Sequence, residues 1–404
     1  MKKWWILAII MALSVIVMPN NTWAGGNIRP GGSLSPRALG MGGAHNAVSG
    51  DGAAFYHNVA NLSQVPDFSE FDLDTIVTKA HFKEFGSNNE HESELGLFPM
   101  PMFALTHKLS DKLTLGLSLY PSDGLGVEYK SLKYQKSLLA SINFTPAIAW
   151  QISDQLSVGI GLDVVYGQMT ENAVFDQLGF PIDGVFLKNK ASGWGLGYRL
   201  GLRYEPCDWL TFGVSYASKR KVAMDCQSDV TALGLDLGEL RGKTSIGFPG
   251  RLGLGVAIKP ADKWLVALDF DYYDYSGLDK IKFDFDWIAI TQTMNWGNNT
   301  SLHLGVERTI NENWKLRFGL AGLWPSVPKA KTVPIIPDGM GYCGSVGVGW
   351  NNRQGNLGID VALMYGQISR ETGPGRGVLA PGRNVVDVGI VSAGVTYYFG
   401  GKRN

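Results

Sequence analysis

The sequence predicts an all-β fold, a 14-stranded antiparallel transmembrane β-barrel whose bore holds an N-terminal plug. Three features lead to this prediction. Short segments of alternating apolar and small or polar residues repeat from about residue 67 to Phe399. Tight turns and longer loops alternate between those segments. The stretch ahead of them, residues 33–62, is apolar and glycine-rich, and it follows neither a strand nor a long-helix period.

The first residues predict a cleaved signal peptide. Lys2 and Lys3 precede the apolar run Trp4–Met18, and the small-residue site at Ala24 follows it. This three-part pattern predicts a signal peptide over residues 1–24. The alternative, an uncleaved anchor, has less support because the run is shorter than the ~18–20 apolar residues that span a bilayer. An exported chain of this kind is periplasmic, secreted or an outer-membrane barrel, and the strand pattern decides which.

Residues 25–66 form the predicted plug and residues 67–404 the predicted barrel. Five glycines interrupt every periodic run in the plug: Gly40, Gly42, Gly43, Gly50 and Gly52. The alanine, leucine, methionine and phenylalanine residues between them keep the segment apolar enough to be buried.

The run Trp194–Tyr204 shows the strand pattern most clearly. One face carries tryptophan, leucine and tyrosine, and the other carries only glycine and arginine. A membrane barrel turns such an apolar face towards lipid, whereas a soluble sandwich would bury it. The opposite faces of this and similar strands carry charges: Asp163, Arg199, Arg203, Asp269, Asp271, Glu307, Lys315 and Arg317. Because an unpaired charge in a dry core is costly, we expect a wide, partly wet bore.

The connections predict the topology. Tight turns fall near residues 110–112, 153–155, 205–208, 259–263, 311–313 and 351–355. Longer loops fall near residues 79–95, 121–139, 171–189, 221–244, 276–297, 325–340 and 370–385. Short turns at one rim and long loops at the other are typical of bacterial outer-membrane barrels, and the strands between them number fourteen.

Aromatic residues cluster at the predicted strand ends. Trp150, Trp209, Trp264, Trp314 and Trp350 lie beside the short turns, and Tyr120, Tyr166, Tyr272 and Trp324 lie towards the long loops. Two girdles at the membrane interfaces account for this placement. The last strand ends in Val-Thr-Tyr-Tyr-Phe at Phe399, which resembles the assembly signal of outer-membrane barrels, although five residues follow it.

Charge and cysteine content exclude several function classes. The 36 basic and 36 acidic residues balance, so nothing marks a nucleic-acid binder. The three cysteines are widely spaced, so they predict neither a framework of disulfides nor a zinc site. A single disulfide between Cys226 and Cys343 is the alternative that their positions allow. The histidines and glutamates of residues 81–94 have no metal-ligand spacing on a regular element, and we expect neither a metal nor another cofactor. An enzyme is the weaker class, because His45 and His57 near Asp51 do not by themselves make a catalytic triad.

Two predicted outer loops are apolar. The loop Glu171–Lys190 contains Phe175, Leu178, Phe180 and Phe186, and the loop Asp229–Leu240 repeats leucine at positions that include Leu235. Exposed apolar loops predict a ligand-binding groove, with packing of one loop on the other as the alternative. We expect replacement of Phe175, Phe180 and Phe186 by serine to weaken ligand capture in a correctly folded protein.

The plug and the barrel together resemble the FadL family of outer-membrane channels, which has a TodX-type branch for aromatic hydrocarbons. Four stretches carry the resemblance: residues 35–44, 51–62, 247–269 and 314–350, in the family's order. One departure lies in the second stretch, where the family reads Asn-Pro-Ala and this chain reads Asn58-Val59-Ala60. The loss of proline puts the rigidity of that turn in question.

The resemblance implies the import of long-chain fatty acids or related lipophiles by a monomer that contacts outer-membrane lipid and lipopolysaccharide. It also implies that the plug is a movable hatch whose residues reach the channel, here Arg37, Leu39, Met41, Asn58 and Val59. The family releases cargo sideways through a kinked third strand, which corresponds to Tyr120, Pro121, Gly124 and Gly126. An ordinary loop start at Pro121 is the local alternative. At the level of function, the alternative is a general diffusion porin or a structural outer-membrane barrel.

Overall fold

A computed structural model of the chain describes residues 34–129, 135–174, 185–232, 234–286, 288–327, 338–372 and 381–399. The predicted signal peptide lies outside these residues. The described N-terminal segment has two short α-helices, α1 (Pro36–Gly40) and α2 (Ala54–His57), and a 3-10 helix, Val59–Gln64. A second 3-10 turn, Ser276–Leu278, lies between two strands. None of the helices in the described part of the chain has the length and apolarity that a bilayer crossing requires.

Nineteen strands in the described residues join in one antiparallel sheet. They are β1 (Phe68–Glu84), β2 (Glu90–Glu92), β3 (Gly96–Ser110), β4 (Leu113–Tyr129), β5 (Gln135–Gln151), β6 (Leu156–Val174), β7 (Val185–Cys207), β8 (Leu210–Ala217), β9 (Arg220–Ala232), β10 (Leu235–Phe248), β11 (Gly250–Ile258), β12 (Trp264–Asp274), β13 (Lys280–Phe285), β14 (Ala289–Thr293), β15 (Asn299–Thr309), β16 (Trp314–Leu323), β17 (Met340–Asn351), β18 (Leu357–Glu371) and β19 (Gly382–Tyr398).

These segments make a closed barrel of 14 strands. Four barrel strands are interrupted and consist of two segments each: β8 with β9, β10 with β11, β12 with β13, and β14 with β15. The short β2 adds to the connection between β1 and β3. The last strand pairs with the first, from Phe68 opposite Tyr398 to Glu84 opposite Gly382. The predicted strand number is therefore confirmed.

The six tight turns lie where the sequence predicted them, but most of the long loops are shorter than predicted, the connection between β16 and β17 being the exception. Residues 221–244, predicted as a loop, form most of the hairpin β9–β10. Strand β4 likewise continues to Tyr129 and β7 begins at Val185. The reason is that these strands extend past the lipid belt, where the outward face is polar and the lipid-facing alternation ends.

The outward faces form an apolar belt. On β7, Leu196 is 64% exposed and Leu200 44% exposed, whereas Arg199 between them is 3% exposed. Trp150, Trp209, Trp264 and Trp314 are exposed near the turns, as a girdle requires. Tyr120 is an exception, because its side chain is fully buried on the inner face of β4. Its assignment to the outer girdle was wrong.

The described N-terminal residues, 34–66, fill the bore, and we call them the plug. Nearly all of them are buried. Helix α1 contacts β16–β19, and the 3-10 helix contacts β4–β7 on the other side, so the plug crosses the full width of the barrel. Helix α1 starts at Ser35, whose hydroxyl accepts from the Ala38 N–H, with Pro36 in the first turn. The plug therefore fills the part of the bore that α1 and the 3-10 helix occupy.

All three cysteines are free. Cys226 lies on β9 and Cys343 on β17, buried in two different apolar clusters. The bridge between them that the sequence left open is therefore absent.

Candidate functional site

The barrel wall holds the plug mainly through charged side chains. Three buried arginines donate to backbone oxygens of the plug: Arg199 to Tyr56 (3.0 Å), Arg203 to Ala47 (3.0 Å) and Arg251 to His57 (3.2 Å). Two carboxylates accept from its N–H groups: Asp269 from His45 and Asn46 (both 2.6 Å) and Glu70 from Gly52 (2.9 Å). The charges that the sequence placed on the inner face therefore serve mostly to bind the plug. Bonds of this kind, to ionised groups, are the stronger ones in proteins.

Arg37 belongs to this attachment and does not line an apolar channel. Its guanidinium forms two hydrogen bonds to the Glu307 carboxylate, at 2.9 and 3.0 Å. Arg317 donates to the same carboxylate at 2.7 Å. Burial lowers the pKa of Arg37, but Glu307 and Asp51 raise it by more, so Arg37 stays charged.

Asn58 holds the turn in which the family's proline is missing. Its side-chain oxygen accepts from the Ala60 N–H, and its Nδ2 donates to the backbone oxygens of Asn46 (3.0 Å) and Leu202 (2.9 Å). The turn is also pressed against the wall, since a Cβ at Gly201 would lie 2.2 Å from the Asn58 side-chain oxygen. The asparagine therefore fixes the turn even though Val59 follows it.

The remaining predicted ligand-binding residues do not come together. Leu39, Met41 and Val59 are buried in three separate clusters between plug and wall. Leu235 begins β10 and is 66% exposed. Phe175, Leu178 and Phe180 lie outside the described residues. Phe186 pairs with Val174 and Thr231 through its backbone.

A large apolar cluster lies in the outer half of the barrel, above the plug. We call it the outer cluster, and its buried members are Val165, Met169, Leu187, Ala191, Val222, Met224, Cys226, Ile246, Phe248, Tyr275, Leu278, Ile281, Phe283, Phe285, Ile290, Trp296 and Val327. Most come from the inner faces of β6, β7, β9 and β10 and from the hairpin β13–β14, which pairs with β10, and Tyr275, Leu278, Trp296 and Val327 come from the connections at the outer rim. Apolar and aromatic linings are typical of small-molecule sites.

The barrel wall has a gap beside β4. The β3–β4 ladder ends at the pair Phe103–Leu119, whereas the β4–β5 ladder continues to Tyr129–Gln135. The outer half of β3, Gly96–Met102, pairs with β1 on its other side. A bridge between Ser93 and Tyr129 closes the outer end. We call the gap between residues 96–102 of β3 and 120–128 of β4 the side window.

The predicted third-strand residues border this window. Pro121 begins a bulge in β4, where the register with β5 shifts between Pro121 and Asp123. A Cβ at Gly124 would meet nothing within 4 Å, and Gly126 lies one position beyond Leu125 in the same strand. Since β4 continues past Pro121, the alternative of an ordinary loop start was wrong. On β3, Pro99 and Pro101 lack N–H donors at alternate positions, and proline in sheets is typical of an unpaired edge.

A polar cluster lies on the inner side of the bulge. Ser122 contacts Asp123, Ser141 and Asn143 at 2.6–2.7 Å. Arg220 reaches it from the start of β9 and donates to Ser122 (3.2 Å) and to Asp123 (3.1 Å). A cavity of about 30 Å³ lies next to Ser122 and Asp123, bordered by Tyr56, Tyr273 and Tyr275.

The turn side of the barrel is different in character. A cavity of about 900 Å³ opens there below the plug, with Ala47–Gly50 of the plug in its lining. Its other lining residues include six basic side chains, Arg37, Lys108, Arg203, Lys259, Lys263 and Lys315, and three acidic ones, Asp208, Asp262 and Glu307. Such a charged vestibule does not suit an apolar molecule.

Arg220 and most of the outer cluster were not predicted from the sequence. The signal was present, because Arg220, Val222, Met224 and Cys226 alternate with polar residues over one strand length. The residues that alternate with them are mostly polar, and they indicated a loop only on the assumption that an outward face must be apolar: Lys221, Ala223, Asp225 and Gln227. Above the membrane that face meets water, so the alternation remains while its outward half becomes polar.

Comparison with known proteins gives consistent matches. A family model described as outer membrane protein transport protein (OMPP1/FadL/TodX) matches residues 16–374. The chain is 24% identical to outer membrane protein P1 of Haemophilus influenzae, over 70% of this chain and 68% of that protein. It is 21% identical to the long-chain fatty acid transport protein of Escherichia coli, over 88% of this chain and 90% of that protein.

Solved structures agree on the fold. A FadL homologue of Pseudomonas aeruginosa superimposes with a TM-score of 0.79 at 16% identity, over 93% of this chain and 100% of that one. The toluene transporter TodX of Pseudomonas putida superimposes with a TM-score of 0.72 at 18% identity, over 94% and 100% of the two chains.

Proposed function

Because the chain belongs to the FadL/TodX family of outer-membrane transport proteins, we propose that it takes up hydrophobic small molecules and releases them sideways into the membrane. Two similar proteins are named for long-chain fatty acids and for toluene, and the cargo of this chain belongs to the same range of fatty acids and related lipophiles. The protein acts as a monomer surrounded by outer-membrane lipid and lipopolysaccharide. The observation that carries the proposal is the side window next to a filled bore.

Cargo enters through the outer cluster. Its aliphatic and aromatic side chains offer a lining that a hydrophobic molecule prefers to water, by about 25 cal/mol for each Å² of apolar surface that is buried. Capture of the cargo also involves Phe175, Leu178 and Phe180, together with Leu235 at the start of β10.

Cargo leaves through the side window. The plug blocks the direct route through the bore, and the vestibule beneath it is charged. The route sideways into lipid therefore costs an apolar molecule less free energy. An unpaired strand edge within a bilayer is costly unless it lines a cavity or a path, which supports a role for the gap in β4. The bulge at Pro121 and the free space at Gly124 keep this edge from closing on β3. Movement of the plug residues, including Arg37, Leu39, Met41, Asn58 and Val59, connects the cluster to the window.

The window is tested by filling it. Gly124→Phe adds a side chain where a Cβ has no neighbour within 4 Å, so we expect normal folding and a loss of cargo transfer of roughly tenfold or more, since bulk in the path acts on the transfer step. Uptake of radiolabelled oleate and of toluene is measured in cells that lack other channels of this family. Gly344→Phe is the matched control, because Gly344 also has room around it but lies on the far strand β17. Equal uptake by the two variants would refute lateral exit at β4.

The cargo class is tested by mass spectrometry of small molecules extracted from the gently solubilised protein. We expect fatty acids or aromatic compounds bound to the native protein and fewer of them bound to a variant with Phe283 and Phe285 replaced by serine. A protein that carries none and instead conducts ions steadily in planar bilayers would favour a diffusion porin.

A further inference from the structure

A groove of about 690 Å³ lies on the outward face of the barrel, above the apolar belt. The ladders of β6, β7, β9 and β10 arrange the exposed side chains of this region in rows that cross the four strands. One row runs Thr170–Lys190–Gln227–Arg241, and the next row towards the membrane runs Gln168–Ser192–Asp225–Lys243. Neighbouring strands lie ~4.8 Å apart and successive outward residues of one strand ~7 Å apart, so the two rows form one compact polar surface.

Four lysines at the groove have no counter-ion within the protein. The outward faces of residues 188–192, 221–229 and 239–245 carry five basic and three acidic side chains, namely Lys188, Lys190, Lys221, Arg241 and Lys243 against Asp225, Asp229 and Glu239. Arg241 pairs with Glu239, whereas in the described part of the chain none of the four lysines has a carboxylate oxygen within 4 Å. Other lysines of the outer half are ion-paired, for example Lys79 with Glu92 and Lys219 with Asp274. The groove therefore offers four ammonium groups to an external anion.

Lys221 lies closer to the membrane than the other three lysines. In the β7–β9 ladder it is opposite Leu196, whose side chain is 64% exposed on the apolar belt, and the pair Trp194–Ala223 lies above it. An unpaired charge on the lipid face of a barrel is costly, and a lysine there extends its ammonium group towards the lipid headgroups. A negative charge at the level of the headgroups removes that cost. The position of Lys221 therefore favours a lipid as the source of the anion over a soluble ion.

The surface around the groove matches the three parts of a phosphorylated glycolipid. Its amide and hydroxyl side chains suit the hydroxyl groups of sugars: Gln168, Thr170, Ser192 and Gln227. The lysines suit phosphate groups. Below them, Trp194 is 63% exposed and its ring centre lies 5.0 Å from that of Tyr166, so these rings and Leu196 offer an apolar surface to acyl chains.

We propose that this groove binds the phosphorylated sugar headgroup of an outer-leaflet glycolipid of the lipopolysaccharide class. The phosphates pair with Lys190, Lys221 and Lys243, the sugars lie over Ser192, and the acyl chains pass over Trp194 into the membrane. The site goes beyond the proposed transport function, because it lies on the outside of the wall and requires only that the barrel is in the outer membrane. The bound glycolipid joins β7, β9 and β10 from outside.

The test measures equilibrium binding of radiolabelled lipopolysaccharide to the detergent-solubilised protein. The variant carries three changes at the groove: Lys190→Gln, Lys221→Gln and Lys243→Gln. The matched control carries the same loss of charge at the turn side of the barrel: Lys108→Gln, Lys259→Gln and Lys263→Gln. The wild type is also tested with lipopolysaccharide whose phosphates have been removed, and with millimolar inorganic phosphate as competitor. The migration of heated and unheated samples in SDS gels reports folding.

We expect the groove variant to bind lipopolysaccharide roughly 100-fold more weakly than the wild type, since each lysine beside a charged lipid surface contributes a factor of about five. The turn-side control should bind like the wild type. Removal of the phosphates should weaken binding to the wild type by roughly tenfold or more, because the charge-assisted hydrogen bonds are lost, and this result does not depend on the folding of any variant. Inorganic phosphate should not displace the glycolipid, because it lacks the sugar and acyl contacts.

Three outcomes would overturn the proposal. Equal binding by the groove variant and the wild type would show that the lysines do not hold the phosphates. Equal binding of the phosphorylated and dephosphorylated forms to the wild type would show that the groove does not recognise phosphate. Displacement by inorganic phosphate would mean that the groove is a site for free anions and not for a lipid. None of these outcomes bears on the uptake of hydrophobic molecules, which has its own tests.

Discussion

At the scale of single residues, Asn58 explains how the plug tolerates valine in place of proline. The 3-10 helix Val59–Gln64 begins directly after Asn58, whose extended backbone (φ −159°, ψ 105°) is the conformation that a following proline also favours. The side chain of Asn58 then supplies three hydrogen bonds that fasten the turn to the plug and to β7. The rigidity of the turn is therefore a property of the asparagine rather than of the next residue.

We predict that substitution of Asn58 weakens the attachment of the plug, whereas substitution of Val59 by proline does not. Asn58→Ala should remove the Asn58 donor from the Leu202 backbone oxygen and one of the two side-chain donors from that of Asn46, and cost about 1–3 kcal/mol of plug attachment. Val59→Pro should be tolerated, because the first position of a helix needs no N–H donor. Limited proteolysis of the plug in the folded barrel measures the difference. Equal protection in the two variants would show that Asn58 does not hold the turn.

At the scale of elements, the hairpin β13–β14 forms a cover for the outer cluster. Phe283 and Phe285 are buried side by side with ring centres 6.3 Å apart, and their strand pairs with β10 at residues 242–244. On the opposite face Lys282 and Asp284 form an exposed ion pair. The cover is therefore held by its apolar face.

We predict that Phe283→Ala opens this cover locally. Loss of a buried phenylalanine costs about 3–5 kcal/mol, which exceeds what a short hairpin at the barrel rim can lose without opening. Hydrogen exchange of the β13 amides should become faster, and bound oleate should dissociate faster. Lys282→Ala is the control on the same strand. Unchanged exchange in Phe283→Ala would mean that other contacts hold the hairpin.

The elements also show what the sequence can and cannot predict. Strands with a lipid-facing side, such as Trp194–Tyr204, were identified because alternation with period two is strong when one face is apolar. Strands β9 and β10 were missed because their outward faces, unlike those of the lipid-facing strands, are mostly polar. The family resemblance indicated the stretch of β4 that borders the side window. That the prolines of β3 face this stretch across the gap follows only from the strand register. Arg220 and Asp123 are 97 positions apart, and no local pattern links them.

At the scale of the whole molecule, the barrel and its plug are joined by one network of charges around Glu307. The carboxylate accepts from Arg37 of the plug and from Arg317 of the wall, and Lys315 lies 3.5 Å away. Arg317 in turn contacts Asp360 on β18. Since the Arg37–Glu307 pair joins the plug to the wall, the network stabilises the closed bore and not merely the barrel.

We predict that Glu307→Gln turns the closed barrel into a leaky one. The substitution removes the charge that Arg37 and Arg317 share and leaves Arg37 with Asp51, 4.0 Å away, as its nearest remaining carboxylate. Breaking a buried pair costs about 3–5 kcal/mol. The barrel ladder has no such dependence on Glu307, so the plug should loosen while the barrel remains folded. Planar-bilayer recordings should then show frequent ion-conducting openings that the native protein lacks.

The control is Asp387→Asn, which changes a carboxylate on β19 that has no contact with the plug and should behave like the native protein. A silent Glu307→Gln channel would indicate that the backbone contacts made by Arg199, Arg203 and Arg251 are enough to keep the bore closed.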